Sequence, residues 1–234
     1  MTILHDDGLY RHLRFIQAEG GEYWFDLITV PGALICQGDG TTFAFRRTED
    51  MFQFFRSGIY RDGSLHINPG YWSEKLTSDH DSVMTYSQKL FEEQVAEELR
   101  GAEADFPGVT RAWNKHVMDY NTEYEYPARE ALEDFEFGDD YKVSCSECDE
   151  AETFSDPVKA HMWKTWHLGD MGDEHVSNVK KNNFYIDATD WNLQDFDWWF
   201  LWACHAIVWG IAKWDKVTRD GLRGLATPTK EKSR

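Results

Sequence analysis

Cysteine is scarce in this chain: four residues in 234 are too few for a disulfide scaffold of this length. Two of them stand as Cys-x-x-Cys, which points instead to metal or redox chemistry in a reducing compartment. Basic residues are also short, 24 Lys and Arg against 42 Asp and Glu, for a formal charge of -18. The resulting mean field repels phosphates and anionic headgroups, which disfavours general attraction to nucleic acid or a membrane surface; a basic partner, or none, fits better. Long apolar runs are absent. The longest, Trp198 to Ala212, has 15 residues and contains His205, short of what a hydrocarbon layer of roughly 30 Å requires. The opening "MTILHDDGLY" lacks the basic cluster and apolar stretch of a secretory signal, so the expected location is the cytoplasm. Missing too are His-Glu-x-x-His, a glycine-rich phosphate loop ending in Lys-Ser or Lys-Thr, and a Gly-x-Ser-x-Gly elbow.

What is present is material for a core: 41% of the residues are hydrophobic and 15% aromatic, enough for one α+β domain over residues 1–220 carrying an insertion. The first fifty residues read as an antiparallel sheet. "LYRHLRFIQ", "EYWFDLITV", "ALICQGD" and "TTFAFRR" are short, rich in aromatic and branched residues, and separated by Gly20-Gly21, Pro31-Gly32 and Asp39-Gly40. The last pair suits a tight hairpin whose residues take positive φ. "TEDMFQFFRSG" follows as a short helix, with Thr48 placed to cap it and Gly58 to close it. In "YSQKLFEEQVAEELR", Leu90, Phe91, Val95 and Leu99 recur at three- to four-residue steps, which predicts an amphipathic helix with an acidic outer face. Thr110 to Phe135 reads as a second helical region broken near Pro127. Trp191 to Asp215 reads as a buried Trp-rich helix with Asp190, Asp195 and Asp197 near its positive end. Residues 226–234 are polar, and a flexible tail is expected there.

The acidity is concentrated. Residues 92–156 hold 20 acidic and 5 basic residues, so one central region supplies most of the net charge. A solvated helix face accounts for such a run, and so does a surface that docks on a basic groove or imitates a phosphate array. The residues that would form that surface are Glu92, Glu93, Glu97, Glu98, Glu133, Asp134 and Glu136.

"CSECDEAETFSDPVKAHMWKTWH", residues 145 to 167, carries the clearest chemistry. Cys145, Cys148, His161 and His167 offer two thiolates and two imidazoles, the donor set of a tetrahedral structural zinc site, with His175 as an alternative ligand. "YKVSC" can enter the Cys-x-x-Cys knuckle as a strand, and Ser155 or Asp156 can cap a helix that has Pro157 in its first turn. The stretch resembles a two-cysteine, two-histidine zinc finger, although the usual aromatic position four residues after the second cysteine holds Glu152. In that family the base-reading positions correspond here to Phe154, Pro157 and Ala160, none of which can make a side-chain hydrogen bond. With only Lys159 and Lys164 basic on the helix, the module reads as a zinc-stapled insertion over residues 141–186, and nucleic-acid binding is not expected of it.

A competing enzymatic reading rests on "GDDYKVS". Asp140 and Lys142, with an upstream carboxylate such as Asp134, could serve a metal-dependent nuclease or hydrolase, the carboxylates holding magnesium and the lysine stabilising developing charge. Other candidates are plainer: "SDHDS" reads as an exposed loop, His205 as a core histidine, and Cys36 and Cys204 as buried thiols.

Over "YRHLRF", "FDLITVPG", "TEDMFQFFR", "INPGYWSEKL" and "WACHAIVWGIAKWD", the chain resembles a family of early proteins encoded by actinobacterial phages and prophages. The resemblance implies an intracellular protein of the infected host rather than a virion component, and it carries over no catalytic residue. The combined expectation is a non-enzymatic protein that binds a host protein with a basic surface, as a nucleic-acid mimic or an inhibitor of host defence does. The metal-dependent hydrolase is the alternative.

Overall fold

A computed structural model describes residues 1–17, 24–145, Cys148, 150–171 and 177–225. The fold is α+β. In chain order come β1 (Thr2–Asp7), β2 (Tyr10–Phe15), β3 (Phe25–Val30), β4 (Ala33–Gly38), β5 (Thr42–Arg46), α1 (Met51–Phe55), α2 (Pro69–Ser73) and β6 (Met84–Tyr86). They are followed by α3 (Gln88–Ala102), α4 (Val109–His116), α5 (Glu125–Glu133), β7 (Glu136–Cys145), β8 (Ala151–Phe154), α6 (Pro157–Met171), β9 (Ser177–Tyr185), β10 (Gln194–Phe196) and α7 (Trp198–Leu225). Contacts divide the chain into two units, one from residues 1–85 with the segment from Asp195 onward, the other Tyr86–Gln194.

The first unit is a five-stranded antiparallel meander, β1-β2-β3-β4-β5, with helices. Alternation sets its faces: Leu13 and Phe15 of β2 pair with Leu27 and Phe25 of β3, and all four are buried. They join Leu34, Phe45, Phe52, Phe55 and Trp72 in one core with Phe200, Cys204, Ile207 and Ile211 of α7. Gly210 is where α7 comes closest to the sheet, because a Cβ there would lie 2.8 Å from Leu27 Cδ1 and 3.1 Å from Phe15 Cζ. The expectation of a buried Trp-rich helix holds for one side of α7, whereas Trp198, His205 and Trp209 reach the surface. His205 is therefore exposed, not the core histidine anticipated. Cys36 and Cys204 are buried thiols as expected; burial, helped by Asp26, pushes Cys36 up to about 12, and burial, helped by Cys36, raises Cys204 as well.

Local details differ from the sequence reading for identifiable reasons. Tight hairpins with positive φ occur instead at Gly8-Leu9, where Gly8 has φ 64° and Asp7 pairs with Tyr10, and at Pro31-Gly32, where Gly32 has φ 82° and Val30 pairs with Ala33. The Asp39-Gly40 turn spans four residues between Gln37 and Thr42 and places no positive φ on Gly40. Gly20-Gly21 lies outside the described residues. Asp50, not Thr48, caps α1: its Oδ1 accepts from Phe52 N at 3.0 Å and from the buried Arg11 at 3.0 Å, one carboxylate serving a helix end and an ion pair at once. Likewise α7 begins at Trp198, because Asp197 Oδ1 accepts from Trp199 N at 2.8 Å and Phe200 N at 3.3 Å. Arg56 fastens α7 further along by a bidentate pair with Asp215, 2.9 and 2.8 Å.

The second unit has its own core. Phe91, Val95 and Leu99 of α3 meet Val109 and Trp113 of α4 and Ala128, Ala131 and Leu132 of α5, the stripe the three- to four-residue spacing predicts. The expected break near Pro127 falls instead between α4 and α5, at 117–124. Pro127 sits in the first turn of α5, where its missing N–H is one of the donors that a helix start leaves unpaired in any case. Beyond α5 lies a three-stranded antiparallel sheet, β8-β7-β9, on which α6 packs. Gly138, at φ 97°, occupies the register shift between Phe137 and Asp140 where β7 pairs with β9. The segment 141–186 expected as an insertion lies within this unit, and residues 226–234 and His175 lie outside the described residues. No helix among the described residues is long and apolar enough to cross a membrane.

Candidate metal centre

Two strands and a helix bring the donors together. Cys145 ends β7, and its N–H donates to the carbonyl of Glu150 at 2.8 Å, closing the knuckle before β8. Val143 and Cys145 face inward, with Val143 fully buried. At the other side of β8, Asp156 starts α6: its Oδ1 accepts from Val158 N at 2.8 Å, and Pro157 takes the first helical position. The face of α6 that turns inward carries Ala160, fully buried, and His167, only 7% exposed. This is a hairpin followed by a helix, the arrangement that a zinc-finger-like stretch implies.

Cys145, Cys148 and His167 bring their ligand atoms within 4.8 Å of one another. Cys148 Sγ lies 3.3 Å from His167 Nε2, so Nε2 is the nitrogen turned toward the thiols. The opposite nitrogen, Nδ1, is 3.5 Å from a carboxylate oxygen of Glu150. Trp163, one helical turn earlier, stacks on the imidazole with ring centres 4.5 Å apart and planes 7° from parallel. The N–H of Glu150 favours the Cys148 thiolate, but desolvation, the neighbouring Cys145 thiol and the Glu150 carboxylate outweigh it and hold Cys148 above its ordinary value. A thiol held above its ordinary value is what a nearby divalent cation reverses, by lowering the cost of its negative charge. Two soft sulfurs and one imidazole within a few ångströms could hold a metal ion, and the donor chemistry suits zinc.

His161 is not brought to this group. It precedes His167 by six residues on an unbroken helix, which at 3.6 residues per turn sets the two side chains about 240° apart. His161 is exposed, and its Nδ1 donates to the Pro157 carbonyl at 2.9 Å. A finger that uses both histidines at this spacing must unwind between them, and α6 continues to Met171. Glu150 and Trp163 were missed in the sequence reading, although Trp163 could have been found from its four-residue distance to His167. Of the reading positions, Ala160 is buried in the module's own interior, which removes it from any groove contact.

The other expected sites are placed as follows. Glu92, Glu93, Glu97 and Glu98 lie exposed on α3, and Glu133, Asp134 and Glu136 are exposed around the end of α5. Glu93 approaches Lys89 at 3.7 Å, Glu92 accepts from Gln88 at 2.9 Å, and Glu136 accepts from Asn183. The side chains of Glu97, Glu98 and Glu133 have no hydrogen bond or ion pair with another described residue. A groove of about 590 Å³ between α3 and α4 is lined by Phe91, Val95, Leu99 and Trp113, with Glu92 of the seven carboxylates at its edge. In the enzymatic candidate, Asp140 accepts from Ser155 at 2.9 Å and Asp134 from Tyr120 at 2.7 Å. Among the described residues neither carboxylate belongs to a cluster of three or more metal-ligating groups; the cluster found is the Cys/His one.

The module is thus a hairpin-and-helix unit with a Cys-Cys-His donor set. No protein-family model, curated protein or solved structure matches the chain.

Proposed function

We propose that this is a non-enzymatic docking protein of a phage-infected host cytoplasm, which engages a basic host protein through the carboxylates of α3 and residues 133–136. Such a surface acts as a nucleic-acid mimic or an inhibitor of host defence, by occupying a groove built for phosphates. A structural zinc ion held by Cys145, Cys148 and His167 braces the sheet and α6, which bury too little apolar surface to hold the segment alone. The observation that supports the reading is the exposure of all seven carboxylates, three of them without a side-chain partner among the described residues. Their charge is left for an external cation, and its pull is felt over about 8–10 Å at ordinary salt.

The test replaces Glu92, Glu93, Glu97 and Glu98 together by Gln and compares variant and wild type as bait in a host lysate. The wild type is expected to retain a basic protein that elutes as salt rises, and the variant to lose it. Retention by the variant overturns the proposal. Asp140→Ala separates the alternative: it should leave capture unchanged, whereas a magnesium-dependent cleavage abolished by Asp140→Ala or Lys142→Ala would establish the hydrolase instead.

A further inference from the structure

One residue touches all three donors of the metal centre. The carbonyl of Glu150 accepts from Cys145 N–H at 2.8 Å, its own N–H is bonded to the Cys148 thiol, and its carboxylate lies 3.5 Å from His167 Nδ1. The first two contacts are made by backbone and any residue at this point of the knuckle could supply them. The third depends on the side chain. We propose that Glu150 is a positioning residue of the metal centre, whose carboxylate takes the Nδ1–H of His167 and so presents Nε2, as a lone pair, to the ion held by Cys145 and Cys148. The inference rests on the metal-binding reading above and deepens it.

The physical case is one of tautomer and orientation. A neutral imidazole carries its proton on one nitrogen only, and the nitrogen that binds metal must be the other. A carboxylate at Nδ1 fixes that choice and makes Nε2 a better donor; partners of this kind contribute about 10- to 100-fold to metal affinity. The ring cannot swing to another arrangement because Trp163 is stacked on one face at 4.5 Å, and its buried position leaves His167 7% exposed. His161, on the outer side of the same helix, has Pro157 O as its Nδ1 partner and, among the described residues, no such carboxylate.

The test uses the full chain, with Co²⁺ as a spectroscopic probe and Zn²⁺ affinity measured by competition with a chelator. Wild type, Glu150→Ala, Glu150→Gln, Glu152→Ala and His161→Ala are compared. Glu150→Ala is expected to weaken Zn²⁺ binding about 10- to 100-fold while keeping the thiolate-to-cobalt absorption that reports two sulfur ligands. Glu150→Gln, which keeps an acceptor oxygen and loses the charge, should fall between it and wild type, and carries the comparison should the alanine variant not fold. Glu152→Ala removes a nearby exposed carboxylate, and His161→Ala a histidine outside the cluster; both should bind as wild type does. Equal affinities for Glu150→Ala, Glu150→Gln and Glu152→Ala overturn the positioning role alone. Failure of the wild type to develop thiolate absorption overturns the metal reading, and this inference with it.

Discussion

The first unit and the β7–β9 module solve the same problem with different means. The first buries Phe45, Phe52, Phe55, Trp72 and Phe200 against a regular sheet, so its order follows from apolar area. Around the knuckle the module buries Val143, Cys145, Ala160 and His167, small or polar groups that exclude little apolar surface from water. A metal ion on Cys145, Cys148 and His167, as proposed above, would tie such a segment from within. The aromatic unit should therefore be indifferent to chelators, whereas the module should depend on its cation.

The largest expected effect breaks that contrast at its weak side. Cys145→Ser with Cys148→Ser should abolish metal uptake and remove on the order of 10 kcal/mol of local stabilisation. In hydrogen exchange, β8, α6 and the adjoining ends of β7 and β9 should lose protection while β2–β5 and α7 keep theirs; unchanged protection throughout would reject the strut. Next comes the apolar side. Phe200→Ala, at a fully buried site, should cost about 3–5 kcal/mol, read as a lower denaturation midpoint of the first unit with zinc content unaltered.

A polar element of the first unit gives a smaller and pH-dependent effect. Asp26 is buried, accepts two bonds from Arg14 at 2.8 Å and lies 2.9 Å from His12 Nε2. Burial alone pushes its carboxyl up, but the bonds from Arg14 and His12 and the Arg14 charge outweigh this and hold it below the ordinary carboxylate value. A depressed folded-state value means the stabilisation is complete above the unfolded value of about 4 and is lost as pH falls through the lowered folded one. Asp26→Asn should thus cost about 2 kcal/mol at neutral pH, with the gap to wild type constant down to about pH 4 and closing only in stronger acid. A gap that already closes between pH 7 and 5 would overturn this account of Asp26. The smallest change is at a helix end: Asp197→Ala should cost about 1 kcal/mol and fray the first turn of α7, seen as faster exchange at Trp199 and Phe200 alone.

Much of the fold was legible because it is written in short periods. The stripe of Phe91, Val95 and Leu99 and the alternation along β2 and β3 require only neighbours a few residues away, and both elements form where those patterns lie. Caps were harder. Thr48 and Asp50 are both competent N-caps, and only the arrival of Arg11 from β2 shows why Asp50 takes the position. The start of α7 was hidden by Trp191 and Leu193, which continue the apolar pattern yet pack in the core of the other unit. At the metal centre the two cysteines and His167 were named from spacing, while His161 was named with equal warrant and does not converge.

That contrast marks the division between chain and fold. The sequence by itself determined the classes of element, the donor types and the concentration of acidic residues, since all three follow from composition and local periodicity. Which histidine meets the thiols, and that Glu150 and Trp163 hold it there, was decided by tertiary structure. Convergence depends on the phase of α6 against the hairpin, and the six residues of continuous helix between His161 and His167 turn one about 240° from the other, so only one of them can face the thiols.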